Sequence, residues 1–439
     1  LSNRDLSGAN LSGANLYGVE LDNTNLSGAD LSYTVLYKAS LANTIFTGAN
    51  LSYANLCGAT NPIVKVDWPG GTFHENRYLT FDFTDTDLSY ADFDHAQMQD
   101  VVLTDAIVRY TNFHDANLEG VDLSYKDLTG TILTETNLTG ANLAGVDLSG
   151  KDLTGTILMG ADLTDATLPS ISLSDKNFRR TVFDGLDLSG KDLSKSSLWD
   201  ISVKNTNLEN TNLSFADLRA VDFTKIKNNS LSGANLESAS FLLANLSGVN
   251  LSNVILDGTN FLQADLSGLD FTVISKETSQ GSVFMQANLT NSNFEGVNLS
   301  PTEFFTTTFK NKAHLKQETV SYYHSKALVM KLFDFGLDNI HILSTEVSGN
   351  DLVVSYLFFN NFAFANLENA NFKNAGLWFV DFYSANLTNA DLSGADLRKA
   401  FLGDADLSNA NLDGADLTGA FINENTILKC NNHPICNSS

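Results

Sequence analysis

LSYADFDHAQMQDVVLTDAIVRYTNFHDANLEGVDLSYKDLTGTIL, residues 88–133, holds an apolar residue at every fifth position: Leu88, Phe93, Met98, Leu103, Val108, Phe113, Leu118, Leu123, Leu128 and Leu133. The step continues unbroken to Phe223, 28 positions in all. A helix asks for apolar residues about 3.6 apart and a strand for every second residue, so neither carries this pattern. A fixed period held for so long marks a repeat architecture and has to be read before any local propensity.

The neighbours of each central apolar residue are equally regular. Two before it sits a small residue, usually Ala, Val or Thr; one before it sits Asp or Asn; Ser or Thr and often Gly follow. GANLSGANL at residues 8–16 and ADLSGADL at residues 390–397 show the unit plainly. It resembles the pentapeptide-repeat family, whose unit is Ala-Asp/Asn-Leu-x-x, over most of the chain. The resemblance implies an all-β fold: a right-handed, four-sided parallel β-solenoid with one pentapeptide per side. The central residue and the small one point inward, and the backbone pairs with coils about 4.8 Å above and below. Counting centres gives about 18 coils, none of which could bury its core alone.

Taken in order, the expected divisions of one continuous elongated domain are coils over 1–59, a surface insert over 60–78, coils over 79–309, a second insert over 310–351, coils over 352–427 and a polar tail over 428–439. The first insert reads as a hairpin turning at Pro69-Gly70-Gly71. The second reads as a helix over 312–336 followed by a hairpin turning at Ser348-Gly349-Asn350. No capping segment precedes the coil of Leu1, Leu6, Leu11 and Leu16, so that coil and the region of Ile427 are expected to be assembly ends, where unpaired backbone can template another copy.

Lys126, Lys151, Lys176 and Lys191 fall in the inward small-residue slot. An ammonium in a narrow apolar core is costly. Either the side distorts locally or the stem snorkels outward toward a neighbouring Asp, or the amine makes a buried Lys–Asp or Lys–Asn contact that locks adjacent coils, with a covalent amide as its extreme form. Further on, Phe358, Phe359, Trp378 and Phe379 occupy outward slots, and the 20-residue spacing pairs them on neighbouring coils. Such a patch needs a cover, either the 312–336 helix or another subunit.

The tail brings Cys430 and Cys436 close enough in sequence for a short disulfide loop, which points to an oxidising compartment; Cys57 is left over. A formal charge of −25 repels nucleic acid and acidic membranes. The seven His are scattered, without metal-ligand spacing, and the glycines belong to the repeat, so neither a catalytic site nor a cofactor is expected. Stacked outward carboxylates, Asp127 with Asp147 and Asp396 with Asp416, are the one arrangement that could share a Ca²⁺. Asn10, Asn25, Asn50, Asn137, Asn212, Asn245, Asn250, Asn288, Asn386 and Asn437 begin Asn-x-Ser/Thr sequons, sites for sugars in an exported protein.

The expected function is a non-enzymatic scaffold, extracellular or on the cell surface, that self-assembles end to end into a filament or surface layer. Two alternatives stand beside it. Some pentapeptide-repeat proteins mimic duplex DNA with an acidic rod and bind type II topoisomerases in the cytoplasm. A Thr/Ser column at Thr134, Thr154, Ser174, Ser194 and Ser214 would suit ice, mineral or glycan.

Overall fold

The computed structural model describes residues 1–59, 63–67, 74–78, 82–170, 172–275, 281–300, 305–309, 340–348, 351–358 and 360–437. They form two compact units: Leu1–Ser172 with Lys176–Asp187 and Asp200–Thr206, and Leu173–Asp175 with Leu188–Trp199 and Asn207–Ser439.

In the first unit each pentapeptide is a turn. The carbonyl of Leu6 accepts from the Ala9 N–H at 3.1 Å, and Gly8 between them is left-handed (φ +65°). A left-handed third residue is what a type II turn requires. Asp5 supplies the next constraint, its Oδ1 accepting the Ser7 N–H at 3.1 Å. The five-residue code thus has a mechanism: Leu inward, Ser capped by the preceding Asp or Asn, Gly in the left-handed slot, Ala inward, Asp or Asn outward.

Four such turns make a coil, because parallel bridges join residues 20 apart, as in Asn10 to Asp30, Asp30 to Asn50 and Asn117 to Asn137. Leu6 N–H reaches Asn25 O at 2.8 Å, and Asn25 N–H returns to Arg4 O at 2.9 Å. Inside, Leu26, Ala29, Leu31, Leu138, Ala141 and Leu143 are fully buried. The result is a parallel β-solenoid, all-β among the described residues. Within the first insert, β1 (Ile63–Asp67) and β2 (His74–Tyr78) form an antiparallel hairpin, and Ile45 bridges Asp82 beyond it.

The second unit repeats the coil with interruptions. Asn212 bridges Asn235 and Asn260 bridges Val283, each 23 residues on. Short 3₁₀ turns at Phe223–Lys225, Lys227–Asn229 and Phe271–Val273 take up the extra length. Phe271, Phe294 and Phe372 stack down the core with centroids 4.2 and 4.8 Å apart, as do Phe284, Phe362 and Phe382 at 4.6 and 5.3 Å.

Two boundaries differ from the five-residue reading. β3 (Phe305–Phe309), β4 (Ile340–Ser348) and β5 (Asp351–Phe358) form an antiparallel sheet in the order β3-β5-β4. Leu352 lies opposite Phe309 and Val347, and Leu357 lies opposite His341, so these three five-spaced residues are ladder residues and not coil centres. The coil pauses after Leu299 and resumes with the bridge from Val283 to Asn361. Near the tail, Ile427 bridges Asp406 and is 39% exposed, an outward residue and not a centre. The cause is one extra residue at 423–426, where Thr426 turns inward and donates to Leu402 O at 3.0 Å. The helix expected over 312–336 lies outside the described residues.

Candidate functional site

A column of tyrosines on the outer surface was not singled out from the sequence. Tyr33, Tyr53, Tyr90 and Tyr110 all take the left-handed turn slot, with φ of 57, 60, 62 and 59°. Their separations of 20, 37 and 20 residues match the coil bridges, the 37 spanning the first insert. Their rings form one column with centroids 4.8, 4.6 and 4.6 Å apart and planes within 3° of parallel. Each of the four residues is 44–61% exposed. A left-handed slot disfavours a bulky side chain; ring stacking at about 0.5–1.5 kcal/mol per pair offsets that strain. Water lost beside the neighbouring rings pushes the Tyr53 phenol up, and Tyr90 and Tyr33 add to the shift. Beside the column, Arg109 Nε sits 3.3 Å from Asp127 Oδ2. Recurrence of Tyr two residues after a centre was the signal available, provided the first insert is discounted.

The amines of Lys126, Lys151 and Lys176 find backbone carbonyls, and the side distorts locally after Lys126 and Lys151. Thr at their slot donates to the carbonyl 23 residues back, as Thr131 does to Val108 O at 2.9 Å and Thr136 to Phe113 O at 2.7 Å. Lys151 Nζ and Lys176 Nζ use that same acceptor, Leu128 O and Leu153 O, the latter at 2.8 Å; Lys151 also reaches Thr131 O at 3.0 Å. Lys126 Nζ donates to Ala106 O at 3.2 Å. The ammonium takes carbonyls of the coil below, and no bridge forms at Asp127 or Asp152 just after Lys126 and Lys151. A cavity of about 440 Å³ opens along that seam, with Asp100, Asp105, Asp122 and Lys126 in its wall. Burial pushes all three amines down; Asp105 and Asp122, Asp127 and Asp147, and Asp152 and Glu135 respectively pull the other way.

Of the expected aromatic patch, Trp378 and Phe379 have described side chains. Trp378 and Phe379 pack edge to face, 5.1 Å between centroids, with Lys399 Nζ 6.0 and 5.8 Å from the two rings. Phe358 belongs to β5, opposite Ile340. The coil below is represented by Ser300, whose Oγ accepts the Trp378 N–H at 3.0 Å. Phe359 lies outside the described residues. At the expected ends, Leu1 is 53% exposed and Leu6, Leu11 and Leu16 are half-buried.

Cys430 and Cys436 are joined as a disulfide with Cα atoms 5.0 Å apart. Cys57 is half-buried, and burial followed by the Asp94 and Asp92 carboxylates pushes its thiol up. The nearby histidines turn elsewhere: His95 Nδ1 is 2.8 Å from Asp115 Oδ2, and His114 Nδ1 is 2.9 Å from Thr134 Oγ1. Thr154 Oγ1 donates to Asp152 Oδ1 at 2.6 Å, so both Thr134 and Thr154 have internal partners.

Most sequon amides are occupied. The Nδ2 groups of Asn25, Asn50, Asn137, Asn212, Asn288 and Asn386 donate to Asp5, Asp30, Asn117, Asp192, Asp265 and Asn366 one coil below, at 2.9–3.3 Å. Of the carboxylate pairs, Arg398 chelates Asp396 at 2.7 Å and approaches Asp416 at 3.8 Å. Asp127 and Asp147 accept the N–H of Thr129 and Ser149, each through Oδ1. Among the described residues no three His, Cys, Asp or Glu side chains are placed to hold a metal ion, and no helix is long and apolar enough to cross a membrane.

Comparison with known proteins agrees with this geometry. The sequence-family model Pentapeptide repeats (8 copies) matches residues 1–32, 24–60, 81–105, 111–150, 136–175, 161–200, 192–224, 244–272, 280–302, 356–389 and 385–423, well over half of the chain. No curated protein sequence matches significantly. Among solved structures, the chain is similar to HetL, a pentapeptide repeat protein involved in heterocyst differentiation regulation in the cyanobacterium Nostoc sp. strain PCC 7120. The two are 17% identical over 94% of this chain and 91% of that one, with a TM-score of 0.14. Rfr23 from the cyanobacterium Cyanothece 51142 is 20% identical over 39% of this chain and 88% of its own, TM-score 0.20. QnrB1, a plasmid-mediated fluoroquinolone resistance protein, is 19% identical over 53% of this chain and 92% of its own, TM-score 0.18. Superpositions this loose carry no argument about function.

Proposed function

Because the chain belongs to the pentapeptide-repeat family, we propose that it acts without catalytic chemistry, as a scaffold whose outward columns engage other proteins and copies of itself. The observation behind this reading is the four-tyrosine column, an aromatic surface left open on an outer corner. Contiguous exposed aromatic area of this kind is characteristic of protein contacts. The finer form is end-to-end assembly into a filament or surface layer outside the cell. It draws support from the Cys430–Cys436 disulfide, since such bonds persist in oxidising compartments.

Electron microscopy of the non-reduced protein over a range of concentrations tests assembly. Particles joined end to end and lengthening with concentration are expected; discrete particles at every concentration overturn it. The formal charge of −25 favours a second reading, an acidic decoy for a DNA-binding enzyme such as a type II topoisomerase. Competition with duplex DNA for that enzyme separates the two.

A further inference from the structure

The tyrosine column has chemistry as well as surface. Tyr33, Tyr53, Tyr90 and Tyr110 are aligned ring on ring at 4.6–4.8 Å, and every phenol is open to solvent. Tyr125 is the contrasting case: at 78% it is more exposed than any of them, but its ring leans on Gly145 instead of another tyrosine. We propose that the column is a site of oxidative coupling within one chain, where neighbouring tyrosines join as dityrosine and staple successive coils.

The oxidant is hydrogen peroxide used by a haem peroxidase. Each of two phenols gives up one hydrogen atom, a proton and an electron, and the peroxide is reduced to two waters. The two phenoxyl radicals then pair through ring carbons ortho to oxygen, forming one C–C bond. The hydrogens on those carbons move to the oxygens as the rings regain aromaticity, so the chain loses two hydrogens per link. Radicals normally meet by diffusion; here the partner ring is already in contact, which raises its effective concentration by orders of magnitude. The ring faces are parallel, so bonding needs the exposed rings to swing about Cβ–Cγ until their edges meet, a fast motion at a surface. The Tyr53–Tyr90 link would tie the coils on either side of the first insert.

The test is exposure of the dilute, folded full chain to a haem peroxidase and hydrogen peroxide, followed by mass spectrometry of linked peptides. The expected product is a single chain lighter by two hydrogens per link, with Tyr33 joined to Tyr53, Tyr53 to Tyr90 or Tyr90 to Tyr110, and Tyr125 unlinked within the chain. Tyr53→Phe keeps a ring in the column, and circular dichroism verifies its fold. It should cut dityrosine within the column to about one third if its three pairs react independently, leaving only Tyr90 with Tyr110 there; the separate stacked pair Tyr17 and Tyr37, 5.5 Å between centroids, is unaffected. Links confined to separate chains, links at Tyr125 as frequent as in the column, or no two-hydrogen loss would each overturn the proposal.

Discussion

The ring of Tyr110 lies against the backbone of Gly130, its successor one coil on, so closely that a Cβ at Gly130 would collide with the ring. Gly130 is also left-handed (φ +71°). Gly140 has nearly the same φ of +65° but nothing within 4 Å of its would-be Cβ. Gly140→Ala isolates the conformational cost, about 1 kcal/mol. Gly130→Ala adds the collision and should cost clearly more in chemical denaturation, while raising exposure of Tyr110. Equal losses would mean that the ring moves aside freely.

The inward lysines predict a pH dependence. The amines of Lys126, Lys151 and Lys176 titrate below the ordinary lysine value of 10.5 because of burial. Between the lowered folded value and 10.5 the unfolded chain holds more protons than the folded one, so stability rises with pH across that window. Below it the penalty is constant. Replacing Lys126, Lys151 and Lys176 together by Met should flatten the rise relative to wild type in urea melts at alkaline pH. The difference between the two proteins removes the common contribution of tyrosine titration. Parallel curves would refute the assignment.

Asp147 predicts the acid side. Hydrogen bonds from Ser149, side chain first and backbone second, hold its carboxyl below the ordinary aspartate value of 3.8. Its contribution is present above the unfolded value and lost as pH falls through the folded one. Asp147→Asn keeps an acceptor, as Asn137 Oδ1 does for the Thr139 N–H at 3.0 Å. The variant should match wild type at neutral pH and lose less stability in acid. A difference at neutral pH with identical acid profiles would overturn this account.

Core aromatics should dominate the second unit. Phe294 is fully buried between Phe271 and Phe372, and Phe294→Ala should cost about 3–5 kcal/mol in denaturant unfolding. Phe215, 54% exposed, should change stability by no more than about 0.5 kcal/mol as Phe215→Ala. Similar losses at both would contradict the inward–outward assignment.

The period of five made the coil legible, because it dictates which residue is buried and which is left-handed. It misled where five-spacing coincides with another order. Leu352 and Leu357 keep the step and yet pair in β5, because a spacing of five alone does not separate a coil centre from a ladder residue. Ile427 was misplaced by the one-residue slip that Thr426 absorbs. The tyrosine column required knowing that residues between Tyr53 and Tyr90 add a hairpin without changing side. The acceptors of Lys126 and Lys151 belong to carbonyls 20 or 23 residues back, a relation that side-chain polarity alone does not encode.

Bridge partners normally stand 20 residues apart, but separations of 23, 37 and 78 leave the next partner in the same column. Chain length and coil stacking are therefore independent variables. A corner works as a splice port: whatever leaves there need only return in the inward phase, with a residue such as Phe83 or Phe362 facing the core. The stack then imposes phase correction on its own sequence. An added module is tolerated whatever its length, whereas a lone residue inserted within a side has to be expelled as a bulge or it turns the following side inside out.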